Sequence, residues 1–172
     1  MKWTYIVGLS ACSILAACAS VGTQFSKMAE PDSGDRARVR VVANMLVKGV
    51  PNASCTDWSK AGAGTIFGGM LGSSGYRGRS LGMPNPQGVR DQNSGEFYVR
   101  ANEPFAIALI NTPDSRYRCS VSATFVPQKN TDYQISTRTV EKSLRKVSCE
   151  ILVQEVTDTG LKPIPIQPAQ CQ

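Results

Sequence analysis

From Arg36 to Val156 the chain is cut by prolines, glycines and Asn/Asp-containing turns into short segments, and in most of them apolar residues fall at every second position. That period puts one set of side chains on each face of an extended strand. Arg36-Ala37-Arg38-Val39-Arg40-Val41-Val42 alternates arginines with Ala37, Val39 and Val41, which predicts a half-buried strand whose three guanidinium groups lie on a solvated outer face. Glu96-Phe97-Tyr98-Val99-Arg100 is broken off by Asn102-Glu103-Pro104. Phe105 to Ile110 is then continuously apolar, as expected of a strand buried on both faces. Tyr117, Cys119, Val121, Ala123 and Phe125 share one face of the next segment. Tyr133 to Thr137 runs back after the turn at Pro127-Gln128-Lys129-Asn130, and Val147, Cys149, Ile151 and Val153 form the face of the last long one. Such segments, recurring every ten to fifteen residues or so, predict an all-β fold: an antiparallel β-sandwich of immunoglobulin-like or transthyretin-like topology. Tyr133 stands where sandwich domains often place a packing tyrosine, just after a polar corner. Three late prolines (Pro163, Pro165, Pro168) keep the tail extended and outside any central strand.

The N-terminus has a different character. Lys2 is its one early charge, and Trp3 to Ala17 is an uncharged, largely apolar run. About 15 residues suit the apolar region of a signal peptide and fall short of the ~20 needed to span a bilayer as a helix. The run ends in Leu15-Ala16-Ala17-Cys18, a branched apolar residue and two small ones before a cysteine. This resembles the lipobox of bacterial lipoproteins. The resemblance, confined to this segment, implies removal of residues 1–17, a diacylglyceryl thioether on Cys18 and an acylated new N-terminus, enough acyl chains for durable anchoring. Ala19, where the enterobacterial sorting rule would read Asp as inner-membrane retention, favours the periplasmic face of the outer membrane. Residues 18–35 are small, polar and rich in breakers (Pro31-Asp32-Ser33-Gly34-Asp35) and read as a flexible tether, with Phe25 and Met28 as possible contacts to the domain. Residues 36–172 read as one domain.

Of six cysteines, Cys12 leaves with the signal peptide and Cys18 carries lipid, so Cys55, Cys119, Cys149 and Cys171 remain. Four thiols in an oxidising compartment point to two disulfides, with three pairings open. Cys119 and Cys149 each begin a core-facing strand of the same meander, and Cys171 sits in a tail with little else to hold it. Cys119–Cys149 and Cys55–Cys171 are therefore expected. The spacings contain no Cys-x-x-Cys pair, so a structural zinc site is not expected.

Ala61 to Tyr76 carries no charge and is rich in glycine, with Gly64, Gly68 and Gly72 four apart. On a helix that spacing would give a flat face for close approach, yet each glycine costs an exposed helix about 1 kcal/mol. The segment continues neither to a dinucleotide fingerprint nor to a Walker lysine. It reads as a long Gly-rich loop. Either Ile66, Phe67, Met70 and Leu71 tuck over one end of the core, or they join Tyr76, Arg77 and Arg79 in a partner-binding loop.

The chain has 19 basic and 13 acidic residues and no histidine. Without histidine, Ser-His-Asp and Cys-His catalysis and most zinc sites are excluded. Lys2 alone lies before Cys18, so the processed chain keeps 18 basic against 13 acidic residues. That excess suits surface solubility, or contact with an anionic polymer or lipid headgroups through Arg77, Arg79, Arg90 and the basic passage 138–146. Asp57, Asp91, Glu96 and Asp114 are carboxylates of the kind a glycosidase pairs, but nothing in their spacing brings two together. The expected function is thus non-catalytic: a membrane-anchored envelope lipoprotein that binds another envelope protein as an accessory subunit. No cofactor, metal or nucleic acid is expected.

Overall fold

The arginine-alternating segment becomes the interior of a sheet because its apolar face is buried and its backbone is paired on both sides. The structure, a computed structural model, describes residues 26–68, 74–84, 89, 93–111, 119–143 and 146–171. The expected signal segment, Cys18, Met70, Leu71, Arg90, Asp91 and Asp114 lie outside the described residues. Numbered along the chain, the strands are β1 (Arg36–Val42), β2 (Leu46–Val50), β3 (Gly64–Phe67), β4 (Ser94–Arg100), β5 (Phe105–Ile110), β6 (Ser120–Phe125), β7 (Asp132–Ser143), β8 (Lys146–Thr157), β9 (Gly160–Pro163) and β10 (Gln167–Pro168). They form two five-stranded sheets, ordered β4-β1-β7-β8-β9 and β10-β6-β5-β2-β3. The fold is a β-sandwich, as the alternation predicts. Its ladders are antiparallel except β1–β7, which is parallel.

Val39, Val41, Phe97, Ile135 and Val153 of the first sheet meet Val47, Phe105, Ile107, Leu109 and Phe125 of the second in one core. A chain of rings crosses it: Tyr76–Phe97, Phe97–Phe105, Phe105–Phe125 and Phe125–Tyr133 have centroids 5.4, 6.1, 6.1 and 5.3 Å apart, the separations at which aromatic pairs attract. Tyr133 is buried, and its hydroxyl accepts a hydrogen bond from the Gln128 amide at 3.0 Å. It closes the corner that the sequence marks with Pro127. Strand β5 is buried on both faces. On its outer side Ala106 packs with Val50, Ala53, Ala63 and Ala169 beneath the loop between β2 and β3.

Both expected disulfides form. Cys119–Cys149 ties the start of β6 to β8, one sheet to the other, and Cys55–Cys171 pins the tail to the β2–β3 loop across 116 residues of chain. The tail is also held by β10, by the Thr56 amide and hydroxyl donating to Ala169 O, by the Ile164 amide donating to Val153 O, and by burial of Ala169.

The domain begins before Arg36, so the tether boundary expected at residue 35 is corrected. Met28 is buried in the main core, and its amide donates to Thr65 O at 3.0 Å. Thr65 N donates to Ser26 O at 2.8 Å, so residues 26–28 lie along the outer edge of β3. Gly64 makes that approach possible: a Cβ there would lie 2.6 Å from Ser26 O and Met28 N. On the same edge Gly75 bridges Phe67, where a Cβ would meet Ile66 O at 2.2 Å. The glycines serve crossings of backbone over β3, not a helix face. At the far edges of the two sheets, β9 and β10 carry Pro163 and Pro168, which have no amide proton to offer a further strand.

Candidate functional site

The outer face of the first sheet is where the structure departs most from a solvated surface. Period-2 alternation turns Arg36, Arg38 and Arg40 outward, and the register sets Arg100, Tyr98 and Glu96 of β4 directly opposite them. On the other flank, β7 sets Asp132 beside Arg38 and Gln134 beside Arg40.

The innermost rung is sealed. Arg40 is 2% exposed, and its Nε and Nη2 donate to Glu96 Oε1 at 2.9 and 2.6 Å. Its remaining donors reach Pro84 O at 2.8 Å and Met83 O at 3.0 Å. Glu96 Oε2 in turn accepts from the amides of Leu81 and Met83. A strap, residues 79–84, is thereby bound to the sheet through a buried ion pair. This corrects the expectation that all three arginines are solvated. Alternation reveals which face a residue takes, and it cannot reveal that a distant turn-rich passage folds back over that face. Gln134 is also buried here, and its Oε1 has no hydrogen-bond partner among the described residues.

The middle rung is half-buried. Arg38 Nε and Nη2 each donate to one oxygen of Asp132 at 2.7 Å, a two-point fork, while Nη1 donates to Leu81 O at 3.1 Å. The Asp132 hydrogen bonds hold the Arg38 guanidinium charged above its ordinary range.

The outermost rung differs. Arg36 opposes Arg100, two cations across one ladder. Arg36 lies over the Tyr98 ring, 4.4 Å from its centroid, and makes no ion pair with a carboxylate among the described residues. Arg100 meets only Glu103, at 3.7 Å, with both side chains a third or more exposed. On either side of Tyr98 lies a surface depression. One, about 400 Å³, is lined by Asp35, Arg36, Arg38, Asn130 and Asp132. The other, about 300 Å³, is lined by Glu30, Asp32, Asn52 and Arg100. Three of these four carboxylates are matched, Asp132 by Arg38, Asp35 by Lys129 at 2.8 Å and Glu30 by Arg79 at 2.7 Å; Asp32 has no ion pair among the described residues.

The apolar residues of the expected partner-binding loop that the structure describes are not on the surface, while Met70 and Leu71 lie outside the described residues. Ile66 and Phe67 are fully buried in β3, and Tyr76 is 2% exposed, with its hydroxyl donating to Met28 O at 2.5 Å. Burial pushes the Tyr76 phenol well up from its ordinary range. These residues take the alternative that the sequence left open, covering one end of the core. Arg77 lies over Phe67, and Arg79 lies over Tyr76 while bound to Glu30. Of the arginines expected to meet an anionic polymer, Arg79 is thus paired within the domain, Arg77 is exposed against one ring, and Arg90 lies outside the described residues. Within the basic passage, Arg138 of β7 pairs with Glu150 of β8 at 2.6 Å in the open, while residues 144 and 145 lie outside the described residues.

Of the described candidate carboxylates, Glu96 is held by Arg40. Asp57 accepts from the Ser59 hydroxyl and amide, which pull it below the usual carboxylate range. They are not brought together. Among the described residues, no three His, Cys, Asp or Glu side chains are grouped to hold a metal ion, and no helix is long and apolar enough to cross a membrane. The arginine side of the outer-face ladder was legible in the sequence as a run able to bind phosphates or carboxylates, but its pairing with β4 and Asp132 was not. Its signal was the strict Arg36-x-Arg38-x-Arg40 spacing together with Glu96-x-Tyr98-x-Arg100, two strands whose alternate residues carry complementary charge. No family model matches this chain, and no curated protein sequence matches it.

Proposed function

We propose that this chain is a non-catalytic lipoprotein of the cell envelope, anchored through lipid on Cys18 to the periplasmic face of the outer membrane, and that its domain binds another envelope protein as an accessory subunit. The observation that supports binding is the pair of depressions flanking Tyr98. They lie on the one face where the chain gathers arginines and an aromatic ring, and they are lined by charges of both signs. A polar, mixed-charge patch around a tyrosine suits a reversible protein contact better than a bulk polymer, because charge pattern selects a partner. The anionic-polymer alternative rests on Arg77, Arg79, Arg90 and the passage 138–146, of which Arg79 is paired with Glu30 and Arg138 with Glu150, which weakens its case.

Cross-linking in intact cells, followed by mild-detergent purification and mass spectrometry, tests the reading. A stoichiometric envelope protein captured with the native chain and lost with Cys18→Ser is the expected result. Recovery of the native chain in the soluble fraction, or capture of cell-wall fragments alone, would overturn it.

A further inference from the structure

The outer face of the first sheet is a ladder of guanidinium groups in which each inner rung has its own carboxylate. Arg40 takes Glu96 and Arg38 takes Asp132. The third rung instead sets Arg36 against Arg100 across the β1–β4 ladder. Like charges directly opposite on a sheet repel, and the Glu103 contact at 3.7 Å is beyond hydrogen-bond length and too exposed to offset this. The surroundings are shaped for the gap. Gly34, with φ +84°, passes so close that a Cβ there would lie 2.9 Å from Arg100 Nη1. The Arg36 guanidinium carbon lies 4.4 Å from the Tyr98 ring centroid, a contact that restrains the side chain over the ring while its N–H donors take no carboxylate among the described residues.

We infer that Arg36 and Arg100 form a binding site for a carboxylate supplied from outside, an acidic side chain or C-terminus of the protein partner. This deepens the binding reading above and rests on it. The chemistry is that of the two rungs below: the same face already grips Asp132 by a two-point fork and Glu96 by two donors to one oxygen. Charge complementarity singles out an acidic segment. Asp35 and Asp132, which line the same depression, are neutralised by Lys129 and Arg38 and do not repel it. Stacking Arg36 on Tyr98 also lowers the ordering cost of binding, since the side chain is held before the ligand arrives.

The test titrates the full chain, purified in mild detergent, with a short acetylated Asp/Glu peptide. The readout is the arginine Nε–Hε signals in nitrogen–proton spectra. The Arg36 and Arg100 signals are expected to shift, at an affinity that falls with added salt. Arg36→Gln or Arg100→Gln should weaken binding roughly tenfold or more, the loss of one charge-assisted contact, whereas Arg138→Gln should not. Equal weakening by Arg138→Gln would show unspecific charge attraction and overturn the site. A response to inorganic phosphate but not to the peptide would overturn the ligand class. Arg100→Glu is a second, independent variant. By giving Arg36 an internal carboxylate it should raise the melting temperature and abolish peptide binding, and a lowered melting temperature would count against the repulsion inferred here. Failure of any of these leaves membrane anchoring and partner capture untouched, so the two readings fail separately.

Discussion

Lys48 sits in the middle of the second sheet's outer face with 8% of its surface exposed, its ammonium 4.4 Å from the centroid of the Trp58 ring. Among the described residues it forms no ion pair. Burial pulls its pKa below the ordinary lysine value of 10.5, so between the folded and unfolded pKa values the unfolded chain binds more protons and stability rises with pH. Below that window the folded domain bears the full cost of a poorly solvated cation, which the ring offsets only in part. Lys48→Met is therefore expected to raise the melting temperature at pH 7, with a gain that shrinks as pH climbs toward the lysine range. Thermal unfolding at a series of pH values checks this, and a gain independent of pH would refute it. Lys48 illustrates what residue-level reading misses. Its place in Leu46-Val47-Lys48 looks like an ordinary outward lysine, because the Trp58 that covers it comes from a loop whose path no local period encodes. Arg40 was misread for the same reason.

At the scale of elements, the strap and β3 carry the clearest consequences. Glu96→Gln keeps the shape of the side chain but leaves Arg40 charged and uncompensated among buried atoms, a defect that costs about 3–5 kcal/mol. It also weakens the acceptor for two strap amides. Hydrogen exchange at Leu81 and Met83 should accelerate beyond the average of the sheet, and denaturant unfolding should show the stability loss. Uniform acceleration would mean that the strap is held by something other than Glu96. Phe67 belongs to β3 and touches no solvent, so Phe67→Ala is expected to destabilise by about 3–5 kcal/mol, a large share of the 5–15 kcal/mol typical of a domain. Its chemical-denaturation midpoint measures this. Any loss of a partner caused by Phe67→Asp would thus report unfolding, not a lost contact. Strands β1, β4, β5, β6, β8 and the first half of β7 were readable because alternation and breakers are local signals, whereas β9, β10 and the extension of β7 to Ser143 were not. The Gly-rich segment was not readable either, because Gly64 and Gly68 answer to Ser26, Met28 and Met45, backbones that cross from elsewhere in the chain.

For the whole molecule, the Cys119–Cys149 disulfide and one aromatic chain hold the sheets together, and Cys55–Cys171 pins the tail. Both pairings were legible, since a cysteine's partner is narrowed by which strands neighbour one another and by which tail lacks other support. The parallel β1–β7 ladder was not, since strand direction in a sandwich depends on crossings between sheets. Cys171→Ser unpins a tail held otherwise by β10, the Thr56–Ala169 and Ile164–Val153 hydrogen bonds and buried Ala169, and opens a loop of 116 residues. A loss of about 2–5 kcal/mol is expected, with proteolysis starting near Pro163-Ile164-Pro165. A melting temperature unchanged from the native chain would show that the tail contributes nothing to the fold.

The stitching of Ser26 to β3 also sets a leash length. Only residues 19–25 separate Cys18 from chain fixed to the domain, and eight Cα–Cα steps reach at most about 28 Å. Under the proposed lipid anchor on Cys18, the domain would not wander across the periplasm. It would patrol a shallow shell over the lipid surface, where a partner in the same bilayer would meet it at an effective concentration on the order of millimolar. A contact too weak to survive dilution in a test tube would be occupied most of the time in such a shell. The grip on the partner can then be loose, provided the anchor is firm.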